Sequence, residues 1–200
     1  QREGRAKDSD DRTQPSILKR MAMGGTGNII ERLMQLHIVP LAISYEYDPC
    51  DFLKAMEFQL KRDVEGWKKT KQDDLENMKT GIMGYKGRIH YECAPCINTW
   101  LDDLRTLPKT EFFGEVAKRM DKEIHAGYKL FPCNYIALDM LESGKVYESH
   151  YTAADVERFS KYLEGQLAKI NIPNKDDAFL RQCMLTMYAN PARNKMAVMP

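Results

Sequence analysis

Apolar positions recur at two spacings along this chain, and the change from one to the other marks where helix gives way to strand. Residues 1–14 are almost wholly polar, and composition alone reads such an opening as a disordered tail. Pro15 then opens a short helical pattern through Ile17, Leu18 and Met21, and Gly24-Gly25-Thr26-Gly27 closes it with residues that tolerate positive φ. Asn28 caps a second helix on Ile29, Ile30, Leu33, Met34 and Leu36, ending near His37. Ile38-Val39-Pro40-Leu41-Ala42-Ile43-Ser44-Tyr45 follows, a short continuous apolar run of the kind that forms a strand buried on both faces. The turn Asp48-Pro49-Cys50-Asp51 leads into an amphipathic helix from Phe52 to Arg62, with Phe52, Leu53, Met56 and Leu60 predicted to face inward. Residues 63–72 are charged and loop-like, Asp73 to Met83 reads as helix, and Arg88 to Cys93 alternates polar and apolar as a strand does. Past Pro108 comes the clearest helix, starting at Thr110 and carrying Phe113, Val116, Ala117, Met120 and Ile124 on one side. Three further helices are predicted near Asn134 to Glu142, Ala153 to Ile170 and Asp176 to Tyr188. The expected class is α/β, with a mixed or parallel sheet flanked by helices over residues 1–127. A mainly helical extension over residues 128–200 packs on it.

Composition narrows the function. Lys and Arg number 30 against 29 Asp and Glu, a formal charge of +1, so nothing argues for nucleic acid as a partner and any anion site must be local. The odd count of five cysteines is poor material for a disulfide framework and fits a reducing compartment, so the expected location is cytoplasmic. No apolar run approaches the roughly 18 residues that would span a bilayer, which leaves contact at the inner face of a membrane as the way to meet a lipid.

The polar opening gains meaning from the apolar run two helices downstream. A segment placed just before a helix in an α/β protein lies at the carboxyl end of a strand, where open sheets bind ligands. There Gly4 would let the backbone approach an anion, Arg5 and Lys7 would supply charge, and Glu3 would orient an arginine or bind a hydroxyl. Glu3-Gly4-Arg5, Val39-Pro40-Leu41-Ala42-Ile43, and Gly87-Arg88-Ile89-His90-Tyr91-Glu92-Cys93-Ala94-Pro95, with the helix from Glu111 to Ile124 after them, stand in a definite order. That order resembles bacterial glycerolipid acyltransferases of the lysophosphatidic acid acyltransferase type over roughly residues 1–127. The resemblance implies transfer of an acyl group from an acyl-CoA or acyl-carrier-protein thioester to a hydroxyl of a lysophospholipid-like acceptor, with no bound cofactor and no metal. It implies acceptor binding by Glu3, Gly4, Arg5 and Lys7 and a pocket wall at the strand around Pro40. Glu46, at the carboxyl end of that strand, is a further candidate for the wall. It also implies that the catalytic His-x4-Asp block lies upstream of Glu3, so this chain alone is expected to be a fragment without catalytic residues. The residue that the family carries between Gly4 and Arg5 is missing here, so Arg5 and Lys7 both remain candidates for the phosphate contact.

Two other arrangements compete for chemistry. His150 and Asp155 stand in His-x4-Asp spacing but after all the other blocks, and Thr152-Ala153-Ala154-Asp155 has the form of a helix start. Cys93-Ala94-Pro95-Cys96 has the spacing of a dithiol oxidoreductase, although Glu92 beside it would raise the thiol pKa, and one pair cannot complete a zinc site. The remaining alternative is a non-catalytic binding protein whose polar opening is a tail and whose helical back half is a docking surface.

Overall fold

Asn28 starts its helix as its side chain predicts. The amide oxygen accepts from the backbone N–H groups of Ile30 and Glu31, both at 3.0 Å, and the Glu31 carboxylate accepts from the N–H of Asn28 at 2.9 Å. The computed structural model describes residues 7–199. Helix α1 (Pro15–Met21) and helix α2 (Ile29–Met34) lead to strand β1 (Leu41–Tyr45). Helices α3 (Asp51–Asp63) and α4 (Lys71–Met83) follow, then strand β2 (Ile89–Cys93). Two 3₁₀ turns, Ile97–Thr99 and Leu101–Leu104, precede α5 (Lys109–Ala126), α6 (Pro132–Leu141), α7 (Ala153–Leu167) and α8 (Asp177–Val198).

The protein combines many helices with a small sheet, and the sheet is where expectation and structure part. Among the described residues it consists of β1 and β2 alone, paired antiparallel with Leu41 opposite Cys93 and Tyr45 opposite Ile89. A single crossover helix would have returned the chain for a parallel pairing. Here two helices lie between the strands, and β2 reaches β1 running the other way. Strand β1 also departs from the buried-on-both-faces pattern: Ala42 and Ser44 are buried, whereas Leu41, Ile43 and Tyr45 are exposed.

Two apolar clusters form the core. Leu18, Leu33, Ile97, Leu101, Phe112 and Val116 join α1, α2, the 3₁₀ turns and α5. Phe131, Ile136, Phe159, Leu163, Leu180 and Met184 join α6, α7 and α8, and this second cluster also takes in Tyr47 and Ala55 from before residue 127. On α5 the buried aromatic is Phe112, with Phe113 packed beside it at the margin. Helix α8 continues ten residues past the predicted end at Tyr188, through Pro191, which has no N–H to offer the carbonyl of Met187.

Helix α3 presents an inward face that apolar periodicity misses. Asp51, Ala55, Glu57 and Gln59 are its buried residues, and Phe52 and Met56 are only partly covered. Polar groups tolerate this because each finds partners. Asp51 Oδ2 accepts from the hydroxyls of Tyr188 at 2.7 Å and Tyr162 at 2.9 Å, and Oδ1 accepts from Gln166 Nε2 and from the N–H of Phe52 at 2.6 Å. Tyr188 Oη in turn accepts from the N–H of Asp48 at 3.1 Å. One carboxylate thereby ties the turn after β1 to α3, α7 and α8.

Burial pushes the Asp51 carboxyl up to about 6 in spite of these donors. A carboxyl whose pKa is raised on folding contributes stability that is full below its unfolded pKa, about 4, and lost as pH rises through the folded value. The difference in unfolding free energy between the wild type and Asp51→Asn, from urea titrations, is therefore expected to favour the wild type more at pH 4 than at pH 7. Asp51→Ala, which strands two tyrosine hydroxyls and an amide, is expected to cost about 3 kcal/mol at pH 7.

Candidate functional site

Residues 7–14 are fastened rather than trailing. The Lys7 ammonium pairs with the carboxylate of Glu57 on α3. Asn190 Nδ2 on α8 donates to the Asp8 carbonyl at 2.8 Å, the N–H of Thr13 donates to Asp121 Oδ1 on α5 at 2.7 Å, and His125 Nε2 lies 2.9 Å from the Asp11 carbonyl. His125 is 2% exposed, so its burial is accounted for by that contact. The polar composition of the segment is thus matched by side chains from three helices, a complementarity that local sequence does not display.

This segment forms one wall of a groove of about 860 Å³ whose other wall is β1, a volume in the range of sites that enclose small organic ligands. Leu41, Ile43 and Tyr45 line it from the strand, and Ile124, Met187 and Pro191 line it from α5 and α8. Lys54, Lys129 and Asp11 are among its polar groups. Burial holds the Asp11 carboxyl above the ordinary aspartate value, opposed by the nearby Lys54 ammonium.

The candidate residues fall at different places around this groove. Glu3, Gly4 and Arg5 lie outside the described residues. Lys7 lies near the near end of the wall formed by residues 9–14, where Glu57 receives a second ammonium, Lys61, at 3.0 Å. One carboxylate therefore faces two cations, and burial together with Lys61 and Lys69 pushes the Lys7 ammonium down to about 8. Sequence reading passed over Glu57 and Lys61, which lie in a helix read by its apolar positions, and left Lys69 in a charged loop; the i,i+4 spacing of Glu57 and Lys61 was the available signal.

Pro40 is buried at the start of β1 and Glu46 stands just past its end; neither is among the side chains lining the groove, whose strand wall they bracket. Glu46 instead receives Arg88 Nε at 3.0 Å, Nη2 at 2.9 Å and the Arg88 backbone N–H at 3.0 Å. Burial raises its pKa, but these bonds to Arg88 outweigh burial and hold the carboxyl below the ordinary glutamate value. Gly87 permits the approach: its φ is +63°, and a Cβ there would sit 2.7 Å from Glu46 Oε2. Glu46 and Arg88 thus lock the end of the β1–β2 ribbon.

His150 and Asp155 do not form a pair. Asp155 Oδ2 accepts from the N–H and hydroxyl of Thr152 as a capping box, and Oδ1 accepts from Arg158, while the His150 ring stacks on Tyr135 at 4.2 Å between centroids. Cys93 ends β2 exposed and Cys96 precedes a one-turn 3₁₀ helix, which offers little of the helix-end field that activates a thiol. Among the described residues, no three His, Cys, Asp or Glu side chains gather in a way that could hold a metal ion. Compared with models of known protein families, with curated proteins and with solved structures, the chain finds no match.

The depressed Lys7 ammonium has a direct chemical consequence, since only the neutral amine is nucleophilic. Trace acetic anhydride at pH 8, followed by peptide mass analysis, is expected to label Lys7 roughly tenfold faster than the exposed Lys118 and Lys145. Glu57→Gln, which leaves the lysines without their shared counter-charge, is expected to raise that rate further.

Proposed function

We propose that this chain is the acceptor-binding part of an O-acyltransferase that moves an acyl group from an acyl-CoA or acyl-carrier-protein thioester to a hydroxyl of a 1-acylglycerol-3-phosphate type acceptor. The observation that carries the reading is the fastening of residues 7–14 along the groove beside β1. It sets the segment that directly follows Glu3-Gly4-Arg5 across the groove from β1, which begins one residue after Pro40, and this suits the order of motifs. The cations at Lys7, Lys61 and Lys69 stand at that end of the segment and suit a phosphate that neutralises their excess charge.

In this reading the histidine upstream of Glu3 takes the proton from the acceptor hydroxyl as its oxygen attacks the thioester carbon, and the thiol leaves with a proton as the ester forms. General-base help of this kind is worth about 10² to 10⁴ in rate. Arg5 and Lys7 hold the phosphate. Contact with a membrane surface fits helix α4, in which Leu75, Met78, Ile82 and Met83 are all 60% or more exposed. Among the described residues no helix is long and apolar enough to cross a bilayer.

Steady-state kinetics on a polypeptide that includes the histidine block test this directly. Arg5→Ala and Lys7→Ala are each expected to raise the acceptor KM by about ten- to a hundred-fold, as loss of one charge-assisted contact implies, with kcat changed less. A fall in kcat at unchanged KM removes both from acceptor binding. Absence of any acyl transfer by the unsubstituted protein favours a non-catalytic binding role.

A further inference from the structure

Strand β2 is the outer strand of the ribbon. Among the described residues it packs closely on β1 and on no other element, and none of its five residues is buried. The carbonyl of Pro40 accepts from Ala94 N at 2.9 Å and the N–H of Glu46 donates to the Arg88 carbonyl at 2.9 Å. In an antiparallel ladder bonded pairs alternate with non-bonded ones, so the even residues His90 and Glu92 turn their backbone groups toward β1. The odd residues Ile89, Tyr91 and Cys93 turn theirs away. Among the described residues none of those outward N–H and C=O groups has a partner. The free edge of β1, by contrast, faces residues 9–14 across the groove.

An open edge of this kind is a template for a further strand, and β2 complements itself. Antiparallel pairing of two copies about a two-fold axis through Tyr91 sets Ile89 opposite the partner's Cys93, Tyr91 opposite the partner's Tyr91 and Cys93 opposite the partner's Ile89. All the outward groups of both strands are then used, each pair exchanging N–H···O=C bonds in both directions. The same register sets His90 opposite the partner's Glu92 and Glu92 opposite the partner's His90, on the face that carries Ser44 and Ala42. Within one chain that imidazole and that carboxylate already meet at 3.2 Å. Neighbouring registers fail, because only odd-on-odd pairing joins outward groups. Moving the axis to His90 or to Glu92 sets like opposite like and leaves an odd residue of each strand beyond the end of the other.

We infer that the free edge of β2 is a homodimer interface, at which two copies of this chain join their ribbons into one continuous antiparallel sheet. The occupant is a second copy because the outward backbone groups and the imidazole–carboxylate pairs match under a two-fold axis, as an isologous contact requires. Opposite charges directly across a strand pair stabilise it and like charges oppose it, so one register is favoured. Tyr91, 57% exposed, lies beside its own copy at the axis, and Ile89, 48% exposed, lies beside the partner's Cys93. Edge contact covers the flanks of these side chains and leaves the broad apolar face of the sheet open. Short strands make a small interface, so the expected dissociation constant is on the order of 100 μM. This contact is independent of the acyltransferase reading.

Sedimentation equilibrium of the chain up to about 1 mM, where even a millimolar contact is half-formed, reads the association. The unsubstituted chain is expected to approach the dimer mass. Tyr91→Pro removes an N–H that faces away from β1, a place where an edge strand accepts proline, and is expected to stay monomeric with its circular dichroism unchanged. His90 and Glu92 are exposed side chains and give a second route. His90→Glu sets carboxylate opposite carboxylate and Glu92→Lys sets ammonium opposite imidazole, and each alone is expected to raise the dissociation constant roughly tenfold. An equimolar mixture of these two variants restores opposite charges at both pairs and is expected to associate within about threefold of the unsubstituted chain. Monomer mass throughout overturns the inference, as does a dimer that none of these substitutions weakens. A mixture no tighter than its components overturns the axis at Tyr91.

Discussion

Ala42 and Ser44 seat the ribbon on the helices, and the groove exists because of how closely they do so. The methyl of Ala42 lies against the turn after α5, where a Cβ on Gly127 would come within 3.0 Å of it. Ser44 Oγ accepts from the N–H of Lys129 at 3.0 Å. Both contacts use the even face of β1, and together with the bidentate grip of Glu46 on Arg88 they fix the register that presents the odd residues outward. A one-residue slip would exchange the two faces, burying Leu41, Ile43 and Tyr45 against α5 and removing the strand from the groove. The position of every groove-lining residue on β1 therefore depends on small side chains at 42 and 127 and on one hydroxyl.

The opposite wall depends on a different kind of contact. Residues 7–14 are too polar to be held by apolar burial, and they are held instead by Glu57, Asp121, His125 and Asn190, which come from three separate helices. Each such bond is worth about 0.5–1.5 kcal/mol net, more where a charge takes part, so the segment is ordered by several modest contacts acting together. An arrangement of this kind gives the wall a definite path while leaving Lys7 among cations that an anionic ligand would relieve.

Helix starts, the two strands and the Thr152–Asp155 cap were legible in the sequence because each is decided within a few residues: a capping side chain, an apolar run, a turn. The direction of β2 was not, since it depends on two intervening helices rather than on any property of Ile89 to Cys93. The inward face of α3 was hidden for another reason. Periodicity scores apolar residues, whereas Asp51 is buried among Tyr162, Gln166 and Tyr188 and Gln59 against the Asn174 carbonyl and the Asp176 N–H, all more than a hundred residues away, and Glu57 meets Lys7 from fifty. The ordering of residues 7–14 escaped for the same reason. Within the candidate site, Lys7 could be named together with Glu3, Gly4 and Arg5, but the company of Lys61 and Lys69 could not.

The mismatch at β1 is the one place where sequence and structure differ in a direction that carries information. A run of apolar residues on consecutive positions costs solubility unless both faces are covered, and the even face is covered here while the odd face is not. Had the run alternated with polar residues at 41, 43 and 45, an exposed face would need no explanation. With Leu, Ile and Tyr there, and Ile89 and Tyr91 opposite, the ribbon shows a contiguous apolar face whose members are 38% to 57% exposed. The outward N–H and C=O groups at the same three positions point along the plane of the sheet, beside β1 and not above its face. The apolar face is set by composition and the backbone edge by register, and the two lie at right angles, so a partner beside β1 would satisfy the edge and leave Ile89 and Tyr91 uncovered.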